Sequence, residues 1–294
     1  MARPALSASR SLEIVDFLAA FPGRAFTLSE IARAAKINIA SCHAVLSALT
    51  ERGFLTRSPS QKTYVLGPAL VAIGDAALKS QPLVARAQEA AQKLSRDLQL
   101  PVLLTGLVGD EILAIAAIAD PQGRNPSMRV GQRMPLVPPV GAPFLAWSSE
   151  SAIEAWIARM APAGDREFVE QWRQDLALIR KRGYQVTLRT EDRTDFATLM
   201  AEMASSRKAP EYRDYVIDLI HSMDERIFHP RTIVAEESYN VALIAAPIFD
   251  QSGGAVFSLN LVELPGKLTG AMIKTYSDHL IRTCLEIMRS DRAA

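Results

Sequence analysis

Nine polar side chains near the start of the chain have the types and spacing needed to hold a nucleic acid: Arg10, Lys36, Asn38, Ser41, His43, Ser47, Arg57, Gln61 and Lys62. Cations neutralise phosphates and set position, whereas hydroxyl, amide and imidazole atoms can read base edges. A helix from Ile39 to Arg52 advances about 100° per residue. It then turns Cys42, Val45, Leu46 and Leu49 to one side and Ala40, Ala44 and Ser47 to the other, with Ser41 and His43 beside them. Small residues on that outer side permit close approach to bases. They supply few donors, so direct readout rests on Ser41, His43, Ser47 and Asn38. Arg10, Lys36, Arg57, Gln61 and Lys62 are expected on phosphates.

Those residues need a scaffold, and the flanking sequence supplies one. Thr27-Leu-Ser-Glu30 is a capping box, followed by Leu28, Ile31, Ala32 and Ala35 in one apolar stripe. Lys36-Ile37-Asn38 fits a short turn, and Gly53 ends the next helix. Phe54–Thr56 and Thr63–Val65 read as two strands around a loop from Arg57 to Lys62. Upstream, Ile14, Val15, Leu18 and Phe21 form the buried side of a first helix. Brace helix, reading helix and basic hairpin make a winged helix-turn-helix over residues 1–80. The same spacing also fits any small helical domain with a hairpin. Charge favours the DNA reading: residues 1–80 carry nine Lys and Arg against five Asp and Glu, the remainder 24 against 27.

Catalytic chemistry finds little support. There is no Gly-x-Ser-x-Gly elbow, no His-Glu-x-x-His and no Gly-rich phosphate loop opening a helix. Cys42 and His43 are neighbours, but adjacent helical residues diverge too far to form a dyad. His221, His229, His279 and Cys284 are scattered and lack metal-ligand spacing. Asp110-Glu111 reads as solvated charge at a hairpin tip. We expect neither enzyme activity nor a cofactor or metal. Two lone cysteines fit a reducing cytosol, and no apolar stretch suits a signal core or a membrane span, so a cytoplasmic protein is expected.

Beyond a helix over Ala69–Leu78 and the break at Gln81-Pro82, a helix over Leu83–Leu98 joins the two domains and opens the second, residues 81–294. There Val102–Val108 and Glu111–Ala116 make a hairpin with a Gly-Asp turn, and Met128–Val130 reads as a further strand. Helices are expected from Pro143, over Ala152–Met160 and over Phe168–Arg182. Val241–Phe249 and Ala255–Val262 pair around Asp250–Gly254, and Leu268–Arg289 closes the chain. Such a mixture predicts an α+β domain with an antiparallel sheet flanked by helices.

Several strings, in this order, resemble the IclR-type transcriptional regulators: Arg10-Ser-Leu-Glu-Ile-Val, Glu51-Arg-Gly-Phe-Leu, Tyr64-Val-Leu-Gly67, Val130-Gly-Gln-Arg-Met-Pro135, Arg182-Gly-Tyr184 and Ala245-Ala-Pro-Ile-Phe-Asp250. The resemblance spans nearly the whole chain. It implies a homodimer or homotetramer on double-stranded operator DNA, and a GAF-like C-terminal domain that binds a small effector. Three departures stand out. Where the family has a histidine and small hydroxylated residues, this chain has Val137-Pro-Pro-Val-Gly141. Family Cys and Ser positions near the ligand are Leu243, Asn260 and Val262. The stretch from Tyr184 to Val241 is longer than the family pattern, with a helix expected over Tyr212–Met223.

A pocket walled by Val137, Pro138, Pro139, Val140, Leu243, Asn260 and Val262 has lost donors and gained apolar surface. We therefore expect a largely apolar effector, an aromatic or alicyclic acid or its ester, oriented by Asn260 and loop backbone groups. The same residues would also suit a filled core. A ligand-independent regulator that meets a protein partner through residues 185–240 is the alternative.

Overall fold

The structure, a computed structural model, describes residues 5–21, 23–160, 165–189 and 230–292. Two compact units meet in sequence between Gln81 and Pro82. The first holds α1 (Leu6–Ala19), β1 (Phe26–Thr27), α2 (Leu28–Ala34), α3 (Ile39–Glu51), β2 (Leu55–Arg57), β3 (Thr63–Leu66) and α4 (Ala69–Lys79). The expected capping box forms: the Thr27 backbone N–H donates to Glu30 Oε2 at 2.8 Å, and Thr27 Oγ1 accepts from the Glu30 N–H. Ile14, Leu18, Phe26, Ile31, Cys42, Leu46 and Leu55 close the core, while Val15 and Phe21 are only half-buried.

The three strands run β1-β3-β2, antiparallel throughout, and the two-residue β1 is an addition to the expected hairpin. The strand expected from Phe54 starts one residue later. The Phe54 N–H is taken by Leu49 O at 2.9 Å, closing α3, and its carbonyl accepts from Gly67 at 2.7 Å. That crossing requires glycine, since a Cβ on Gly67 would stand 2.2 Å from the Gly53 carbonyl oxygen. α4 is unusual. It is apolar over most of its length, yet it buries no residue, and Val71 is 75% exposed.

The second unit contains α5 (Pro82–Leu98), β4 (Val102–Val108), β5 (Glu111–Ile118), β6 (Arg133–Pro135), α6 (Ala142–Leu145), α7 (Glu150–Ile157), α8 (Arg166–Arg182), β7 (Gln185–Leu188), β8 (Ser238–Phe249), β9 (Ala255–Leu261), β10 (Lys267–Thr269) and α9 (Gly270–Arg292). Its antiparallel sheet runs β10-β8-β9-β4-β5-β6, with β7 also paired to β8. This is the α+β architecture expected. α5 and α9 cover one face, where Ala87, Ala91, Leu280 and Ile287 pack on Ile244, Leu259 and Leu261. Period-2 alternation sends Leu243, Ser258 and Asn260 to the other face.

Two sequence expectations change here. Met128–Val130 is not a strand: Gly131 adopts φ +82°, Gln132 N–H donates back to Arg129 O at 3.0 Å, and Val130 is left 61% exposed at the turn. The neighbour of β5 is instead Arg133–Pro135. The long stretch after Tyr184 begins with β7 and ends inside β8, so its two ends belong to the sheet. The helix expected over Tyr212–Met223, together with His221 and His229, lies outside the described residues.

Candidate functional site

In the first unit, Asn38 caps α3 by accepting the Ser41 N–H at 2.8 Å. Its side-chain oxygen is thereby used, leaving the amide hydrogens for any other contact. Ala40, His43, Ala44 and Ser47 are exposed on the outer side of α3, and Ser41 is half-buried beside them, while Cys42 and Leu46 are fully buried. Cys42 and His43 thus face opposite ways, and burial raises the Cys42 thiol, which disfavours the reactive thiolate.

The hairpin tip is tight. Ser58 N–H donates to Thr63 O at 2.8 Å, Lys62 N–H to Ser58 O at 2.9 Å, and Lys62 sits at φ +53°. Arg57, Gln61 and Lys62 are exposed, as is Lys36; Arg10 is half-buried on α1. The Arg57 guanidinium lies 5.8 Å over the Tyr64 ring, which limits its freedom without removing its charge. Hydrogen bonds from the Thr27 backbone and hydroxyl lower the Glu30 carboxyl, keeping a negative charge at the start of α2.

The second unit holds a cavity of about 410 Å³, a size suited to a small organic molecule. Its floor is the sheet face opposite α5 and α9. Antiparallel register sets Thr105 beside Ser258, Leu103 and Ala245 on either side of Asn260, and Thr187 beside Leu243. Its roof is the loop before α6 and α6 itself, with Pro139, Val140, Pro143 and Phe144. Trp156 Nε1 donates to Val140 O at 3.1 Å, and Arg159 Nη1 to Leu136 O at 2.8 Å.

Of the expected wall, Pro139, Val140, Leu243, Asn260 and Val262 line the cavity. Val137 and Pro138 are buried but do not; successive residues of the turning loop face different sides, and Val137 N–H folds back onto Pro135 O at 3.1 Å. Asn260 is not the lone polar group. Thr105, Gln185, Thr187, Arg189 and Ser258 also line the cavity. Nor is Asn260 unengaged. Its Nδ2 hydrogens are shared among Leu103 O at 2.9 Å, Ser258 O at 3.0 Å and Thr105 Oγ1 at 3.2 Å, while Oδ1 faces the Ser258 hydroxyl at 3.3 Å. A lone threonine inside the apolar run Val102–Val108 was the sequence signal for this polar row.

Remaining candidates have structural partners. Asp110 pairs with Arg159 at 2.5 Å and Glu111 with Arg133 at 3.0 Å, so the hairpin tip is not merely solvated. Burial pushes the Cys284 thiol up to about 12, and its Sγ lies 3.8 Å from Ala246 O. His279 is half-buried on α9. Among the described residues no group of His, Cys, Asp and Glu could hold a metal, and no helix is long and apolar enough to cross a membrane.

Comparison with known proteins matches residues 7–59 to the family model described as the IclR helix-turn-helix domain, and residues 75–201 to that of the bacterial transcriptional regulator IclR C-terminal region. Together the two matches run over more than half of the chain. The HTH-type transcriptional regulator BhcR of Paracoccus denitrificans is 23% identical over 278 residues, 95% of this chain and 84% of its own. An IclR transcriptional regulator from Alicyclobacillus acidocaldarius superposes with a TM-score of 0.72 at 18% identity, covering 98% of this chain and all of that one. An IclR homologue from Microbacterium hydrocarbonoxydans, solved in complex with 4-hydroxybenzoate, gives 0.64 at 17% identity, covering 98% and 100%. At these identities the likeness to solved structures is one of fold.

Proposed function

The chain belongs to the IclR family of bacterial transcriptional regulators, and we propose that it binds operator DNA through α3 and the β2–β3 hairpin under control of a small organic effector held in the second unit. On this reading Ser41, His43, Ser47 and Asn38 face bases, and Arg10, Lys36, Arg57, Gln61 and Lys62 meet phosphates. The effector is an aromatic or alicyclic acid or its ester. The observation that carries this reading is the 410 Å³ cavity, with an apolar roof and hydrogen-bonding side chains along its floor. A collapsed, filled core at Leu243 and Val262 would have favoured ligand-independent action instead. An effector can shift operator affinity only by its differential affinity for the two arrangements of the protein.

A dimer is part of the proposal. One module reads too few base pairs for useful specificity, so two copies on two half-sites are expected. The unburied α4, with Val71, Ile73 and Leu78 at 75, 48 and 38% exposure, supports a second copy covering it, because an apolar helix without a packed face is not stable in water. Sedimentation showing only a 32.1 kDa species at micromolar concentration would refute the dimer.

Thermal unfolding of the full chain with a panel of aromatic and alicyclic acids and esters, 4-hydroxybenzoate among them, tests the effector. A ligand that binds only the folded state must raise the midpoint. Fluorescence anisotropy on fragments of the flanking promoter should then show that the same compound changes operator affinity. If no compound moves the midpoint, the effector reading fails.

A further inference from the structure

Resting on the effector reading of the cavity, we infer that the ligand binds as a carboxylate, held along the edge strand β7 by the Gln185 carboxamide, the Thr187 hydroxyl and the Arg189 guanidinium. Residues 185, 187 and 189 alternate onto one side of the strand, and all three line the cavity. Gln185 is 3% exposed and Thr187 6%. Gln185 Nε2 gives one hydrogen to Thr187 Oγ1 at 3.0 Å. Its second amide hydrogen and the Thr187 hydroxyl hydrogen meet no acceptor among the described residues. Buried donors left in that state are costly unless something completes them.

Asn260 and Ser258, the obvious alternatives at the centre of the floor, already satisfy one another and the neighbouring strand carbonyls. The Thr105 and Ser127 hydroxyls on the lining also donate to nothing among the described residues, but only β7 sets such donors on one strand face beside a cation. Arg189 adds the one cation among the described lining residues. Its backbone N–H is fixed to Asn240 O at 2.6 Å, and no carboxylate among the described residues pairs with its side chain. Two donors of neutral type and one guanidinium are the set that a buried carboxylate needs, and an ester would leave the guanidinium without an anion. Glu263, the other charged lining residue, follows β9, which is separated from β7 by β8.

The test is isothermal titration calorimetry of the full chain with matched pairs: benzoate against methyl benzoate, and cyclohexanecarboxylate against its methyl ester. In the unaltered protein an acid should bind at least about tenfold tighter than its ester, as expected for charge-assisted bonds. Arg189→Gln and Thr187→Val should each weaken the acid by about tenfold or more and leave the ester unchanged, while Arg189→Lys retains part of the preference. Ligand-free thermal midpoints of all three variants check folding, and Arg189→Lys remains informative if another variant unfolds. An ester binding as tightly as its acid, or variants that weaken both alike, overturns the carboxylate assignment and leaves the cavity a ligand site. Absence of binding by every compound overturns the assignment and the effector reading together.

Discussion

Replacing Asn260 with leucine separates a structural hub from a ligand contact. The side chain is 7% exposed, and its amide is shared among Leu103 O, Ser258 O and Thr105 Oγ1 at 2.9–3.2 Å. Leucine branches at Cγ as asparagine does and is the larger of the two, so no cavity arises and the change is chiefly in polar partners. The bonds of two amide hydrogens and of the oxygen facing the Ser258 hydroxyl, at about 1 kcal/mol each, are lost, and the buried acceptors stay behind. Added apolar burial offsets about 1–2 kcal/mol of that. The second unit should therefore lose roughly 1–3 kcal/mol, read as a lower urea midpoint by circular dichroism with an unchanged slope. The acid-over-ester preference should survive, because the carboxylate donors lie on β7. An unchanged or raised midpoint would refute the hub. A collapsed acid preference would show that Asn260 reads the ligand itself.

Burial, opposed by Arg231 and Arg182, pushes the Asp175 carboxyl up to about 6, above its value in the unfolded chain. Its contribution to stability is therefore fully present below about pH 4 and lost as pH rises through about 6. Asp175→Asn should gain on the unaltered protein across that window, by on the order of 2–3 kcal/mol at pH 7. Thermal midpoints that run parallel from pH 4 to 8 would contradict it. Lys62→Ala should weaken binding to all DNA sequences alike and flatten the log–log salt dependence by about one unit; an unchanged slope removes Lys62 from the phosphate contacts. Ser41→Ala with His43→Ala should alter operator preference by about 1–3 kcal/mol at one or two base pairs, and unchanged selectivity would place the reading face elsewhere. Gly67→Ala forces the Gly53 carbonyl and the Leu55 amide apart and should destabilise the first unit by ~2 kcal/mol or more; a wild-type midpoint would show that the hairpin exit yields freely.

What was legible in the sequence was local. The Thr27–Glu30 box, the stripe through Ile31 and Ala35, and the strands on either side of the Asp250–Gly254 turn all depend on neighbours within one or two turns or a single hairpin. Long-range partners were not legible. Asn260 reads as an available amide because its acceptors, Leu103 and Thr105, lie 157 and 155 positions away. Gln185-Val-Thr-Leu188 falls within the long stretch after Tyr184 without a strand signal, because four residues are too few to display a period, and only pairing with β8 makes them a strand. Met128–Val130 carries the right residue types for a strand, but the left-handed Gly131 directs that chain into a turn.

The loop over the cavity is fastened at both ends to α7 and the turn that follows it, through Arg159 to the Leu136 carbonyl and Trp156 to the Val140 carbonyl. α7 is in turn tied to α8 by the Trp156–Trp172 ring contact at 5.4 Å and by Arg173, which bridges Glu150 and Glu154. Arg180 of α8 reaches past α6 to the Ala146 carbonyl at 2.6 Å. A strap pinned at both ends to a stiff plate has no free flap. A molecule that needs more headroom must therefore move the plate together with the loop, because Val140 cannot be lifted without loosening its bond to Trp156.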